Sequence, residues 1–470
     1  MRTMTAPTSR MASLLVVAAP LLGSVALAQP RVQDAAQEEP GVDSLDARAR
    51  RLDEQEAQVE ALRAQLEVLL DQAAAAETAT PPAEEPGSDL HEGGSPDAGL
   101  GRDDEFIDPG FLKSVPLFGS DWRFSFGGYA KVDLLHDFAG TGDKMQFTLD
   151  TIPVDGDPPP GSYSNLQAAE TRINFEVRDT GGSETSRFFV EFDFFDPTLS
   201  PRLRHAYFEY GNLLAGQTWT TLTELRQLPF LLDFAAGDSL YGGRTQQIRW
   251  QATATESLSW AVALENFDDE NLLIPDDVQG TARSNFPSLV GRTTYDFGGS
   301  VVTVGASLGQ NRWDGGGSAG DATSLFWSAM IGGRVYVDTE REDFVGFGAS
   351  YSEGTPDTII SLAEAGTPRA VLRPNGELEN VPAWNVQLGF HKAWSPQWSS
   401  NFSLAYAELD PVPGLPGDSL RIGSAFHGNV IRDLGTRMKV GLEYMHGIRE
   451  VIDGGDGTAN RVQFSLIYYF

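Results

Sequence analysis

The sequence predicts an all-β fold, a transmembrane antiparallel β-barrel of about sixteen strands preceded by a short periplasmic α-helical coiled coil. Three observations predict it. The segment Arg461–Phe470 alternates strictly, with Val462, Phe464, Leu466, Tyr468 and Phe470 on one face and Arg461, Gln463, Ser465, Ile467 and Tyr469 on the other. That is a strand with one apolar and one mostly polar face. The connections between such segments alternate between short and long. The amino terminus carries a secretory signal, and no later stretch is apolar for long enough to form a membrane-spanning helix.

Composition narrows the alternatives. Hydrophobic residues make up 41% of the 470 residues, low for a helical membrane protein and suited to strands with one greasy face. There is no cysteine, which removes disulfides, thiol catalysis and Cys-ligated zinc. A net charge of -32 argues against a nucleic-acid partner.

Residues 1–28 read as a signal peptide. Arg2 and Arg10 flank the start of an apolar run from Met11 to Val25, which ends in the cleavage pattern Ala26-Leu27-Ala28. Residues 29–72 read as a periplasmic segment with a coiled-coil helix. Leu45, Leu52, Val59 and Leu66 keep a heptad spacing, and Leu62 and Leu69 hold its second apolar position. Arg48 and Gln55 occupy the earlier turns of that position, so the seam is imperfect at its start. An isolated helix of roughly 30 residues is marginal, which predicts partner helices. The apolar positions leave dimer and trimer both open. Residues 73–105, rich in Ala, Pro, Gly, Glu and Asp, read as a flexible acidic linker.

Residues 106–470 read as the barrel. Trp122, Phe124, Phe126, Gly128, Ala130, Val132 and Leu134 alternate with Arg123, Ser125, Gly127, Tyr129, Lys131 and Asp133. Ala169, Thr171, Ile173, Phe175 and Val177 alternate with Glu170, Arg172, Asn174, Glu176 and Arg178. An apolar face opposite a charged face suits a wall between lipid and water. Short connections, expected as periplasmic turns, include Gly211-Asn212, Gly298-Gly299, Ser395-Pro396-Gln397 and Arg432-Asp433-Leu434; long ones, expected as outer loops, span 138–166, 221–243, 267–288 and 354–381. An even strand count places both termini in the periplasm. Trp394, Trp398 and the final aromatics fit an interfacial girdle.

A barrel of this size keeps a watery lumen, so function falls on inward positions. By parity Arg123, Lys131, Arg172, Arg249, Arg292, Arg334, Arg421 and Arg437 line the pore and favour anions, accompanied by Arg178, Arg187, Lys439, His205 and His427. The competing reading pairs each with an inward acid, such as Arg172 with Glu170 or Glu176. Leu228-Pro-Phe-Leu-Leu-Asp-Phe234 is too apolar for a free outer loop and is expected to fold into the lumen, with a subunit contact as the alternative. Phe464, Leu466, Tyr468 and Phe470 form a barrel-closing signal resembling that of Gram-negative outer-membrane proteins, which implies lipid and the barrel-assembly machinery as partners.

Catalytic motifs are poor. Gly305-Ala-Ser-Leu-Gly309 matches a nucleophile elbow, but lies inside an expected strand. The histidines lack zinc spacing, no phosphate loop occurs, and Asp453-Gly-Gly-Asp-Gly reads as a polar outer loop. Neither an enzyme nor a cofactor or metal is expected.

Four stretches resemble the DcaP-like outer-membrane porins: Phe126-Gly-Gly-Tyr-Ala-Lys-Val-Asp133, Asp150-Thr-Ile-Pro-Val-Asp155, Glu170-Thr-Arg-Ile-Asn-Phe-Glu-Val-Arg178 and Arg204-His-Ala-Tyr-Phe-Glu-Tyr-Gly-Asn-Leu-Leu-Ala-Gly-Gln-Thr-Trp219. The resemblance implies a homotrimeric sixteen-stranded channel of the Gram-negative outer membrane with a periplasmic coiled coil. It also implies small organic anions such as dicarboxylates as solutes. The expected function is passive diffusion of small hydrophilic solutes. A sugar- or amino-acid-selective porin would need aromatic tracks in the lumen; an envelope-tethering or adhesin barrel would have a closed pore.

Overall fold

The computed structural model describes residues 114–470 except 118–120, 139, 158–160, 180, 182–185, 197, 236, 268–270 and 316–319. The expected signal peptide, coiled coil and linker lie outside the described residues.

Sixteen antiparallel strands close on themselves. They are β1 (Trp122–Asp137), β2 (Arg172–Asp179), β3 (Ser186–Asp193), β4 (Arg202–Tyr210), β5 (Leu213–Trp219), β6 (Arg244–Thr255), β7 (Leu258–Asn266) and β8 (Ser288–Phe297). The second half comprises β9 (Ser300–Asp314), β10 (Ala322–Tyr336), β11 (Phe344–Glu353), β12 (Pro382–Ser395), β13 (Trp398–Leu409), β14 (Leu420–Asp433), β15 (Met438–Val451) and β16 (Asp456–Tyr469). Closure joins β1 to β16, from Tyr129 opposite Tyr469 to Asp137 opposite Arg461. On its other side β1 pairs with β2, from Trp122 opposite Asp179 to Tyr129 opposite Arg172. A closed sheet leaves no backbone edge to be satisfied in hydrocarbon.

Period-two alternation sets which side meets lipid. In β16, Phe464, Leu466 and Tyr468 are exposed on the outside, whereas Gln463, Ser465, Ile467 and Tyr469 are buried on the inside. Phe470 finishes the seam: its N–H donates to the carbonyl of Gly128 at 3.2 Å and its ring lies 5.4 Å from that of Phe126. Trp394, Trp398 and Tyr468 are all exposed near the short-turn end. The two-residue turn Gly298-Gly299 between β8 and β9 has φ of 73° and 85°. Glycine takes that left-handed conformation without strain, and it matches the twist of a hairpin.

Two departures from simple alternation matter below. The alternation expected to run unbroken from Ala169 to Arg178 begins only at Arg172. Tyr163–Gln167 pairs with the upper half of β1, and the chain turns before β2, which buries Glu170 beside Lys131. In β14 the register shifts between Leu420 and Ile422, a bulge that gives Arg421 no partner of its own across the ladder.

The connection from Thr220 to Gly243 folds into the lumen. Its backbone runs along the inner wall. The N–H of Phe230 donates to Asn401 in β13 at 3.2 Å, the N–H of Leu232 donates to Glu443 in β15 at 2.7 Å, and the carbonyl of Leu232 accepts from Gln463 in β16 at 2.7 Å. The wall makes room with glycine. A Cβ at Gly346 would overlap the carbonyl of Gln227, and one at Gly389 would press on Pro229. The expectation that this apolar loop enters the lumen matches the structure.

The connection from Gly354 to Val381 also turns inward, contrary to its expected place as an outer loop. Its short helix α1 (Ile360–Glu364) lies on the inner loop: Ile360 N–H donates to the Leu240 carbonyl at 3.1 Å and Ser361 N–H to that of Asp238 at 2.8 Å. Ile359, Leu362, Val371 and Val381 bury themselves with Leu222 in one apolar cluster, and that burial is the physical reason for the inward fold.

Candidate permeation constriction

Between the inner loop, α1 and the wall formed by β2 and β4–β6 lies a cavity of about 290 Å³. The wall contributes Arg172, Arg204, Trp219 and Arg244; the inner loop contributes Asp233 and Phe234; the second connection contributes Asp357 and Glu364. Arginines thus come from strands and carboxylates from loops.

The arginines differ in how far they are neutralised. Arg204 is buried and bonded to Glu191 at 2.9 Å and Asp193 at 2.8 Å, with its guanidinium 5.7 Å from the Phe234 ring centre. The nearest Glu170 oxygen is 3.7 Å from Arg172, and the guanidinium lies 5.4 Å from the Tyr129 ring centre. Arg244 lies over Trp219 at 4.9 Å, and among the described residues no carboxylate forms an ion pair with it. Its charge is the least compensated of the three. Glu364 faces the same space with Oε2 buried and without a hydrogen-bond partner in the structure. Burial and the nearby Asp238 and Asp150 push its carboxyl well above the usual carboxylate range.

The residues expected to line the pore fall into separate groups. Arg172 is at the cavity. Lys131 is inward but locked, its Nζ donating to Glu170 and to the Leu232 carbonyl. Arg249 is inward, with Nη2 donating to the Trp219 carbonyl at 2.6 Å. Arg292 has inward parity next to buried Val290 and Thr294, and it acts on Glu224 of the inner loop. Arg123 sits near the short-turn end, bound to Ser114 at 2.6 Å. Arg334 is inward near that end, over Tyr336 and Phe344. Arg187 pairs with Glu176 and Glu209, Arg178 with Glu176, and Lys439 with Asp433. His205 and His427 are both buried inside.

Two placements are corrected. The bulge in β14 turns Arg421 outward, where it reaches Glu408 at 3.8 Å, the carboxylate bonded by outward-facing Tyr406. Arg437 lies in the exposed turn before β15, which begins only at Met438. Neither belongs to the lumen wall. Arg204 and Arg244 were missed. A register shift in the β3–β4 ladder brings neighbouring Arg204 and His205 both inside, against strict alternation. Arg244 follows Gly242-Gly243 at the end of the apolar loop, and that position was the available signal.

No curated protein matches the chain. The crystal structure of the outer membrane channel DcaP of Acinetobacter baumannii is similar, with a TM-score of 0.66 at 19% identity over 76% of this chain and 100% of that one. An anion-selective porin from Comamonas acidovorans is similar with a TM-score of 0.51 at 11% identity, over 74% of this chain and 100% of that one. Residues 113–470 match the model of the DcaP outer membrane protein, and the chain is an outer-membrane channel that belongs to that family.

Proposed function

We propose that this channel lets small hydrophilic solutes diffuse passively and prefers small organic anions such as dicarboxylates. Selection would occur at the cavity face formed by Arg172, Arg204 and Arg244. The observation that carries the reading is Arg244, a guanidinium lining the constriction with no ion-paired carboxylate among the described residues. Arginine stays charged at any ordinary pH and offers a fork that matches a carboxylate. An anion entering the gap gains a partner, while a cation meets repulsion before it reaches Asp357 or Glu364.

The test is the reversal potential under a KCl gradient, with Arg244→Gln beside the wild type. The wild type should be anion-selective, and the variant should move toward cation preference. The shift should be larger at about 0.1 M salt, where the Debye length is about 10 Å, than at about 1 M, where it is about 3 Å. An unchanged potential rejects selection at Arg244.

We further infer a homotrimer whose periplasmic stalk is the heptad segment 45–69, joined to the barrel by the acidic linker after cleavage of residues 1–28. The heptad spacing supports this reading. Native mass measurement of the detergent-purified protein should give a trimer, and a monomer at working concentration would reject it.

A further inference from the structure

One rung of the barrel passes across seven strands, and the inner loop covers only part of it. Read across the ladder, the rung runs Tyr336–Phe344–His391–Asn401–Asn429–Glu443–Gln463, each residue directly opposite the next. From Asn401 onward the loop lies on it. Asn401 accepts from Phe230 N–H, Asn429 donates to the Phe230 carbonyl at 2.8 Å, and Glu443 and Gln463 hold Leu232. Those four wall residues are at most 3% exposed. Over Tyr336, Phe344 and His391 the loop has climbed to the next level, where Gln227 and Pro229 rest on Gly332, Gly346 and Gly389. These three side chains, and Arg334 beside them, remain half-buried and face the lumen near its short-turn end.

The uncovered end of the rung carries chemistry of its own. Phe344 and His391 stack with ring centres 5.3 Å apart at 17°, and Tyr336 meets Phe344 edge-on at 6.2 Å. The Arg334 guanidinium lies 5.1 Å from the Tyr336 ring centre and 5.5 Å from that of Phe344. No carboxylate pairs with Arg334 among the described residues, and its Nε is buried without a hydrogen-bond partner. His391 is oriented by Asn401 at 2.7 Å; because the Asn401 oxygen already accepts from Phe230 N–H, the network assigns the proton to Nδ1.

We propose that Arg334, Tyr336, Phe344 and His391 form a binding station for planar aromatic carboxylates on the lumen wall formed by β10–β12. The guanidinium supplies two parallel N–H donors for the carboxylate. The rings supply offset or edge-on faces for the aromatic body. An aliphatic anion uses the first feature and not the second, so the station distinguishes ring-bearing anions from others. The station is separate from the Arg244 cavity and does not depend on selection there.

The test is current block of the full-length channel in planar bilayers by benzoate and by propionate. Benzoate should block the wild type more tightly than propionate. Arg334→Gln should weaken benzoate block about tenfold, the size expected for the loss of one charge-assisted hydrogen bond. Phe344→Leu should weaken benzoate about threefold and leave propionate unchanged, since only stacking is lost. Phe344→Leu keeps every charge, so it decides the matter even if Arg334→Gln fails to insert. Equal block by the two anions in the wild type overturns the proposal. So does benzoate block that neither substitution changes, or an equal effect of Phe344→Leu on both anions. If Arg244→Gln shifts selectivity while these variants leave benzoate block unchanged, selection at the cavity stands and this station does not.

Discussion

Glu443 in the wall accepts the backbone N–H of Leu232 in the inner loop at 2.7 Å. The same carboxylate accepts from Asp233 N–H at 3.3 Å, from Asn429 at 2.8 Å and from His427 Nδ1 at 2.9 Å. His427 in turn reaches Asp238 of the loop through Nε2 at 3.0 Å. A long loop held in a watery lumen would otherwise be free, and this network fixes its far end.

Glu443→Ala should therefore release the loop. It strands His427, Asn429 and two backbone donors in a buried setting, and breaking a buried ion pair costs about 3–5 kcal/mol. The expected outcome is higher open-channel noise and a lower thermal midpoint, with the strands still assembled. Quiet, wild-type single-channel traces would show that the loop is held by other contacts.

Glycine fixes the near end. Gly346→Ala places a methyl group where the Gln227 carbonyl lies, and overpacking of this kind costs about 1–3 kcal/mol. Conductance should change, because the loop backbone must leave the wall. Gly161→Ala is the control, since a Cβ there meets nothing within 4 Å. A Gly346→Ala channel indistinguishable from this control in conductance and thermal midpoint would reject the close packing.

Much of this was legible in the sequence. Strand faces were readable because lipid demands apolar residues at every second position, so Phe464, Leu466 and Tyr468 announced their side. The inner loop was readable because Leu228–Phe234 is too apolar for solvent. Two kinds of feature were not. Register shifts leave no mark on a period-two pattern, so Arg421 was assigned inward and Arg204 was passed over. Partners across strands depend on register and shear, so nothing in the order of residues showed that Lys131 would be held by Glu170 and Leu232 while Arg244 faced a cavity. The inward fold of 354–381 rests on scattered residues, Ile359, Leu362, Val371 and Val381, with no continuous apolar run to signal it.

The sorting of basic residues gives a selectivity series. Arg421→Gln and Arg437→Gln should leave the reversal potential unchanged, since one faces outward and the other lies in a turn. Lys131→Gln should act on stability instead, because it leaves buried Glu170 without its closest cation. Reversal potentials and thermal midpoints measured on the same preparations separate the two effects. A selectivity change in Arg437→Gln as large as that in Arg244→Gln would place the controlling field at the short-turn rim.

Two carboxyls at the cavity make selectivity depend on pH. Burial pushes Asp233 up to about 7, against the opposing pull of His427 and Arg461. Glu364 is raised well above the usual carboxylate range, by burial first and then by Asp238 and Asp150. A carboxyl is neutral below its pKa and anionic above it. Raising the pH from about 6 to about 9 therefore adds negative charge opposite Arg172, Arg204 and Arg244, and the preference for anions should fall. Asp233→Asn should flatten the part of the curve near neutrality, and Glu364→Gln the part above it. The arginines keep their charge throughout, so they contribute no slope of their own. Measured at about 0.1 M salt, where screening is weak, a wild-type reversal potential constant across this range would mean that neither carboxyl reaches the permeating ions.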